Sequence, residues 1–231
     1  NDKMSTPTTR VAFHTMGCKT NFSETSTLSR EMITHGLQLV SFRDKADIYV
    51  LNSCSVTENA DKEARKLIRQ ARRRNPDAAV AVIGCYAQLQ PAETAAIPGV
   101  ELVVGAAEKF NLFTHLSSLK ANGNATVIQS PIATVQSFQP SFSVAERTRT
   151  YLKIQDGCNY NCSFCTIPLA RGRSRSDNIA NTVNIAQQIA DTEAREIVLT
   201  GVNIGDYGIG ANEDFFRLIQ ALENVDGIDR F

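Results

Sequence analysis

The residues best suited to do chemistry are three cysteines that lie close together in the stretch CNYNCSFC. Cys158, Cys162 and Cys165 have the spacing C-x3-C-x2-C. Three thiolates in one loop can bind three irons of a cubane iron–sulfur cluster and leave the fourth iron open, whereas structural zinc normally has four protein ligands. The spacing therefore favours an iron–sulfur cluster. A zinc or disulfide loop is the alternative, although three is an odd number for disulfide pairing and no fourth cysteine is nearby.

This stretch resembles the signature of the radical S-adenosylmethionine (SAM) enzymes, including the aromatic residue Phe164 before the last cysteine. The resemblance implies a 4Fe-4S cluster at Cys158, Cys162 and Cys165, whose open iron binds the amino and carboxylate groups of SAM. It further implies that an electron from the cluster cleaves SAM to a 5′-deoxyadenosyl radical.

The elements before this stretch indicate a parallel sheet. Short β-branched segments alternate with amphipathic segments from residue 11 to about residue 120, which is typical of βα units. The predicted strands are residues 11–14, 48–52, 79–83 and 102–104, and the predicted helices are residues 23–34, 58–74 and 109–120. Ser55 and Glu58 form a predicted capping box for the second helix. We expect an α/β fold in which helices flank an N-terminal parallel sheet.

Three further cysteines each follow a predicted strand of this sheet. They are Cys18, Cys54 and Cys85. Because parallel strands all end on the same edge of a sheet, residues far apart in sequence can converge there, and a second site with three thiolates follows. The alternative is that each cysteine is a small buried hydrophobic residue at a strand end.

The resemblance widens around these cysteines to the methylthiotransferase family. The matching pieces are MGCKTNFSET at 16–25, LNSCSVTENA at 51–60 and VIGCYAQ at 82–88. They are similar to the domain that precedes the radical SAM domain in that family. The resemblance implies that Cys18, Cys54 and Cys85 bind an auxiliary 4Fe-4S cluster that carries or delivers sulfur, so that the cofactors are two 4Fe-4S clusters and SAM.

A second domain is predicted around the first cysteine stretch. Its predicted elements are a strand at 151–155, a helix at 179–192, a strand at 196–200 and a helix at 215–224, which suits the start of a partial (βα) barrel. The loop after the later strand contains Thr200, Gly201 and Asn203. It occupies the place where radical SAM proteins hold the amino group of SAM. The alternative is a turn chosen only for its backbone geometry.

Two basic segments have two interpretations each. Helix 58–74 carries a row of Lys and Arg that either meets RNA phosphates or forms a solvated outer face. In TIPLARGRSRS, Arg171, Arg173 and Arg175 either lie in a solvated loop or orient SAM, RNA or the sulfur-bearing half of the molecule.

Composition limits the classes of protein that remain. The chain of 231 residues has six cysteines, too few for a disulfide scaffold, and 24 basic against 24 acidic residues. RNA binding must therefore come from local clusters of charge. The N-terminus lacks a signal peptide and no apolar stretch matches a membrane span, so the prediction is a cytoplasmic protein without a membrane partner.

The predicted domains are 1–128 (auxiliary cluster), a linker at 129–146 where charge disappears, and an incomplete radical SAM domain at 147–231. KANGNAT at 120–126 is a predicted turn before the last element of the first domain. Residues 151–231 number 81, whereas a complete barrel needs roughly 200 or more. We expect a truncated barrel, inactive alone, and a missing C-terminal RNA-binding domain in the full-length protein.

The resemblance also suggests a subgroup. GCKTN, QDGCN and ARGRSRS look most like the enzymes that act on threonylcarbamoyladenosine in tRNA. The implied partners are tRNA and an electron donor, and the implied reaction replaces the C2–H bond of adenosine beside the anticodon by C–SCH3. The alternatives are isopentenyladenosine in tRNA, an aspartate of a ribosomal protein, a two-cluster scaffold for sulfur or electron transfer, and an α/β interaction module without metal.

Overall fold

The computed structural model describes residues 8–54, 58–119, 124–144 and 149–231, and of residues 58–61 it describes the backbone alone. The chain divides into two compact units. The first unit comprises Asn1–Gly17 and Leu28–Ser130, and the second comprises Cys18–Thr27 and Pro131–Phe231. Ser55 of the predicted capping box, residues 120–123 of the predicted turn and the predicted start of the second domain at residue 147 lie outside the described residues.

The first unit is built on a six-stranded sheet in which every pair of neighbours is parallel. Its strands are β1 (Arg10–Thr15), β2 (Gln38–Val40), β3 (Ile48–Ser53), β4 (Ala79–Gly84), β5 (Leu102–Val104) and β6 (Thr126–Ile128), in the order β2-β1-β3-β4-β5-β6. The α/β class predicted from the sequence is confirmed. The edge strands β2 and β6 were not predicted, because their residues are mostly exposed, whereas the equally short β5 is a fully buried apolar segment.

Helices cover both faces of this sheet. They are α1 (Lys19–Thr34), α2 (Glu58–Arg74), α3 (Cys85–Leu89), α4 (Pro91–Ala95) and α5 (Leu112–Ser117), the last preceded by a 3-10 turn at Lys109–Asn111. Side chains alternate along β3, so Tyr49 and Leu51 pack with α2 while Val50 packs with Leu28 and Met32 of α1. Each face of the sheet thereby acquires its own hydrophobic core.

Two of the helices that cover this sheet have bounds that differ from the prediction. The first begins at Lys19 and not at residue 23, since the polar residues Thr20 and Asn21, which favoured a loop, are buried in the helix. The helix predicted for 109–120 is a 3-10 turn followed by α5, which ends at Ser117.

The second unit has a small mixed sheet. Its elements are β7 (Ser141–Phe142), β8 (Arg149–Lys153), β9 (Gln155–Asp156), α6 (Ile167–Arg171), β10 (Arg175–Ser176), α7 (Ile179–Ala190), β11 (Glu196–Thr200) and α8 (Phe215–Leu222). The parallel pair β8–β11 is extended by β7, which is antiparallel to β8, while β9 and β10 form a separate antiparallel pair. The antiparallel β7, which lies in the predicted linker, departs from the purely parallel arrangement that the sequence suggested.

Two capped helices cover this sheet. Asn178 accepts a hydrogen bond from the N–H of Asn181 at the start of α7, and Asp214 does the same for Arg217 at the start of α8. Their apolar sides form the core of the second unit with the strands, and its fully buried members include Leu152, Ile154, Ile189, Ile197, Leu218 and Leu222. In the described part of the chain, no helix has the length and apolar character needed to span a membrane.

Candidate metal and cofactor site

The cysteine loop connects β9 to α6 in the second unit. Cys158 and Cys165 are half-buried and Cys162 is exposed, and all three are free thiols. The N–H of Cys158 donates to the carbonyl of Gly172 at 3.0 Å, and the N–H of Cys165 donates to the carbonyl of Cys162 at 3.1 Å. The loop is thus fixed by its backbone and presents its thiols at the surface.

Gly157 determines how this loop leaves β9. Its φ is +74°, and a Cβ atom there would lie 2.0 Å from the carbonyl oxygen of Arg173 and 2.7 Å from that of Gly172. Only glycine combines this dihedral angle with such a close approach of two backbone segments. The residue just before the first cysteine therefore packs the loop against the segment that follows α6.

Gln155 joins the cysteine loop to the loop predicted to hold SAM. Its side-chain oxygen accepts hydrogen bonds from the N–H groups of Val202 and Asn203, at 2.9 and 2.8 Å. Its nitrogen donates to the carbonyl of Gly157 at 2.7 Å and to the hydroxyl of Ser174 at 2.9 Å. Sequence reasoning missed this residue, although its position three residues before the first cysteine of the motif was a usable signal.

The predicted SAM-loop residues have different environments. A Cβ at Gly201 would lie 2.9 Å from the side-chain oxygen of Gln155, so glycine permits the contact between the loops. Thr200 is buried, and its hydroxyl lies 3.4 Å from that of Thr20. Asn203 is half-buried. Phe164, on the cysteine loop, is 92% exposed and is free to cover a ligand.

A second contact links the same two loops. The hydroxyl of Tyr160, inside the cysteine loop, donates to Asp206 at 3.3 Å, in the 3-10 turn Ile204–Asp206 that follows β11. The negative charge of Asp206 raises the pKa of Tyr160, because the carboxylate disfavours the phenolate. Tyr160 therefore stays a neutral donor toward Asp206.

The three arginines after the cysteine loop have separate roles. Arg171 is 2% exposed and donates to Asp156 at 2.9 Å, while Arg175 donates to the other oxygen of Asp156 at 3.1 Å. Arg173 is exposed and borders a cavity of about 460 Å³ beside Cys158. The cavity is lined by Ile132, Ala133, Cys158, Asn159, Asn161, Pro168, Leu169, Gly172 and Arg173. Of the three arginines, Arg173 is the one that borders this cavity.

Buried charges support the loop from below. The ammonium group of Lys153 lies 2.9 Å from Glu24, and Arg171 lies 3.3 Å from the same carboxylate. Glu24 and Lys153 are 0% and 1% exposed. Because unpaired buried charges are costly, this network makes the start of α1, the end of β8 and α6 dependent on one another. No pattern in the sequence indicates it.

The other three cysteines lie at strand ends. Cys54 directly follows β3, and Cys85 begins α3 directly after β4. Since Ser53 and Gly84 are paired in the sheet, Cys54 and Cys85 follow neighbouring register positions in the first unit. Cys18 immediately precedes α1 and belongs to the second unit. Cys18 is exposed, Cys54 is half-buried and Cys85 is buried, and none of the three forms a disulfide bond.

Among the described residues, no group of three or more His, Cys, Asp or Glu side chains is arranged to hold a metal ion. The thiolates of a cubane cluster bind different irons, so they stand farther apart than the ligands of a single ion. The free thiols of the cysteine loop are the donor type that such a cluster requires, and the loop fits that group chemically.

Comparisons with known proteins find one matching family model and several similar proteins. Residues 10–105 match the family described as "Uncharacterized protein family UPF0004". The chain is 40% identical to the threonylcarbamoyladenosine tRNA methylthiotransferase MtaB of Bacillus subtilis, over 95% of this chain and 50% of that protein. It is 38% identical to the protein of the same name from Aquifex aeolicus, over 95% of this chain and 54% of that protein. The chain thus spans about half the length of these curated relatives.

Relatives with other names also match. A ribosomal protein uS12 methylthiotransferase RimO of Chloroflexus aurantiacus is 31% identical over 91% of this chain and 50% of that protein. A solved radical S-adenosylmethionine methyltransferase, TsrM of Kitasatospora setae, described with cobalamin and a 4Fe-4S cluster bound, has a TM-score of 0.55 and 16% identity over 94% of this chain and 51% of that one. At that identity the likeness concerns the fold alone.

Proposed function

We propose that the chain is a member of the radical SAM methylthiotransferase family and contributes the cluster-binding part of an enzyme that methylthiolates C2 of N6-threonylcarbamoyladenosine beside the tRNA anticodon. One observation carries the proposal. Gln155 holds the backbone of the cysteine loop and of the Thr200-Gly201-Val202-Asn203 loop with a single buried amide. A site that binds a cluster and a cofactor side by side needs these two loops next to each other.

Cys158, Cys162 and Cys165 would hold the cluster of this site. The chemistry supplied there is the one-electron cleavage of SAM, which suits an aromatic C–H bond that has no acidic proton for a base to remove. The chain's own residues orient and cover the cofactor. Asn203 would offer an amide to the amino group of SAM and Phe164 would cover the bound ligand, while Gly201 permits the close approach of the loops.

Cys18, Cys54 and Cys85 would bind the auxiliary 4Fe-4S cluster that provides the sulfur. The remaining features of the proposal are tRNA as substrate, an electron donor, a separate RNA-binding domain in the full-length protein and a cytoplasmic location. The names of the relatives support the tRNA substrate.

Two other functions have specific support. A relative named for methylthiolation of a ribosomal protein matches at 31% identity, and one named tRNA-2-methylthio-N(6)-dimethylallyladenosine synthase, from Akkermansia muciniphila, matches at 28% over 96% of this chain and 54% of that protein. A two-cluster scaffold without radical chemistry is the candidate of another class, since the same six cysteines would serve it.

Anaerobic reconstitution of the full-length protein tests the proposal. We expect two 4Fe-4S clusters by iron and sulfide analysis, and release of 5′-deoxyadenosine from SAM after reduction. The triple change of Cys158, Cys162 and Cys165 to Ala should remove one cluster and all SAM cleavage, whereas the triple change of Cys18, Cys54 and Cys85 to Ala should remove the other cluster and retain cleavage. Two clusters without SAM cleavage would favour the scaffold.

The substrate requires a separate measurement. Mass spectrometry of tRNA nucleosides from cells that lack the full-length protein should show the loss of the methylthio group from threonylcarbamoyladenosine alone. Loss of the mark from isopentenyladenosine, or from a ribosomal protein with tRNA unchanged, would replace our substrate by one of the alternatives.

A further inference from the structure

One face of α2 carries a straight row of exposed basic side chains. They belong to Lys62, Lys66, Arg69 and Arg73, spaced four, three and four residues apart, and all four are exposed. At 3.6 residues per turn these positions fall within an arc of about 60° and extend about 16 Å along the helix axis. We call these four residues the α2 basic row.

The opposite face of α2 is apolar and packed. Ala64, Leu67, Ile68 and Ala71 are buried in the core that α2 forms with the sheet. The α2 basic row is therefore directed away from the first unit's core and its position is fixed by that packing.

The other described basic side chains of α2 already have partners. Arg65 lies 2.9 Å from Glu93, Arg72 donates to the carbonyls of Pro76 and Ala78 at 2.7 and 2.8 Å, and the guanidinium of Arg74 lies 5.7 Å from the ring centroid of Phe42. By contrast, the four side chains of the α2 basic row make no hydrogen bond or ion pair to another described residue. The described basic side chains of α2 thus fall into two groups. Three arginines have intramolecular contacts, and the α2 basic row has none with the described residues.

This row is unfavourable for the helix itself. Like charges three or four residues apart on a helix repel each other and destabilise it. The helix dipole favours Arg73 in the last turn but gives no stabilisation to Lys62 and Lys66, which are nearer the N-terminus. In addition, the helix carries seven basic and three acidic residues in a chain of zero net charge, so the remainder of the chain is net acidic. The positive charge is concentrated on this helix.

The character of the row indicates a nucleic-acid backbone. None of the exposed large hydrophobic side chains found in the described part of the chain belongs to α2. Protein interfaces normally centre on buried aromatic or aliphatic anchors, whereas contacts with phosphates need only cations at regular spacing. Glu63 is an exposed acidic residue beside the row, three positions before Lys66.

We propose that the α2 basic row is a docking surface for the sugar-phosphate backbone of RNA. The proposal rests on the proposed function, because the RNA is the tRNA substrate of that function. It locates an RNA contact on a helix of the first unit. Four phosphate contacts would make RNA affinity depend strongly on salt.

The test is RNA binding by the full-length protein with a matched charge control. The test variant is Lys66→Gln with Arg69→Gln, and the control is Arg65→Gln with Arg217→Gln, which removes the same charge from side chains that contact carboxylates. The probe is a fluorescein-labelled anticodon stem–loop RNA, measured by anisotropy over a range of salt concentrations. Circular dichroism confirms that both variants remain folded.

We expect the test variant to bind roughly tenfold or more weakly at 0.1 M salt, with a salt slope reduced by about one for each lost phosphate contact. The control should bind like the unmodified protein, and the charge-preserving pair Lys66→Arg with Arg69→Lys should retain the affinity. Equal losses in test and control, or no loss in either, would overturn the proposal.

Two further results also bear on the proposal. Absence of RNA binding by the unmodified protein would overturn it, as would equally tight binding of polyglutamate through the same row, which would indicate an acidic protein partner. A failure of the proposed function is detected separately, as intact methylthio nucleosides in cells lacking the protein. RNA binding that depends on the α2 basic row would stand in that case.

Discussion

The side-chain oxygen of Gln155 accepts a hydrogen bond from the backbone N–H of Asn203 at 2.8 Å. The same amide donates through its nitrogen to the carbonyl of Gly157 at 2.7 Å. Gln155 is fully buried, so its polar groups have exchanged water for these protein partners. An amide is suited to this position because it presents an acceptor to one loop and a donor to the other.

Replacing Gln155 by Glu should destabilise the second unit by about 2–4 kcal/mol, because a carboxylate oxygen would then face the carbonyl of Gly157 without a proton between them. The measurement is the urea midpoint of the protein together with iron bound after reconstitution. Gln188→Glu, at an exposed position of α7, makes the same chemical change in water and should leave both unchanged. Equal stability of the two variants would refute the role of Gln155.

The sequence predicted the elements with strong patterns. Strand β5 matches its prediction, β3 and β4 each extend one residue further, and α7 and α8 begin at the predicted residues Ile179 and Phe215. These segments bury one face or both, so the spacing of their apolar residues predicts whether they form a helix or a strand. The two-residue strand β7 was missed because its pairing with β8 leaves no periodic signal.

Site residues could also be predicted only where the signal is local in sequence. The spacing of the cysteines and the glycine of the second loop could be recognised, because each depends on neighbouring residues alone. Gln155 with Val202, and Glu24 with Lys153, are pairs separated by 47 and 129 residues. Such contacts depend on which elements become neighbours, and a single sequence does not contain that information. For Arg171 the sequence left a solvated loop and a ligand contact as alternatives, and its burial against Asp156 is a property of the fold.

Gly157→Ala should disrupt the cysteine loop. The added Cβ would meet the carbonyl oxygen of Arg173 at 2.0 Å, and the positive φ adds strain, so the hydrogen bond from Cys158 to Gly172 should be lost. We expect faster alkylation of Cys158 by iodoacetamide in the iron-free protein, measured by peptide mass spectrometry, and reduced iron uptake.

Gly210→Ala is the matched control for this change. Gly210 also has a positive φ of +82°, but no atom lies within 4 Å of the position of its Cβ. It should show the strain of the dihedral angle, about 1 kcal/mol, without a change at Cys158. If both variants altered the alkylation of Cys158 equally, the close packing of Gly157 would not be the cause.

His14 should make the first unit less stable as the pH falls. Burial lowers the pKa of His14, an effect that Glu63 partly opposes, and its ring centroid lies 5.2 Å from that of Phe42. The unfolded chain therefore binds a proton at a higher pH than the folded chain does. The contribution of neutral His14 to folding stability is fully present above its unfolded pKa of about 6.5. This contribution decreases as the pH falls through that value toward the lower pKa of His14 in the folded protein.

The variant His14→Gln removes this contribution. Urea midpoints measured between about pH 7.5 and pH 5 should decline less steeply for His14→Gln than for the unmodified protein. A steeper decline in the variant would mean that protonated His14 is stabilised in the fold and would contradict the assigned direction.

Lys153→Met should be among the most destabilising single changes in the second unit. It removes the cation 2.9 Å from Glu24 in a place where both side chains are buried, and leaves Arg171 at 3.3 Å as a more distant partner. Loss of one member of a buried pair costs about 3–5 kcal/mol, so a fall at the lower end of that range is expected in urea unfolding. Arg217→Met breaks an exposed pair with Asp214 and should cost less than about 1 kcal/mol.

A double variant separates the pair from simple packing. Glu24→Gln with Lys153→Met removes both charges, so its loss of stability should be clearly smaller than the sum of the two single losses. Asp156 in the same network lies two residues before Cys158, and therefore Lys153→Met should also reduce iron retention at the cysteine loop while the double variant recovers part of it. Additive losses would mean that Glu24 and Lys153 act independently, and the network would then not couple the start of α1 to the cysteine loop.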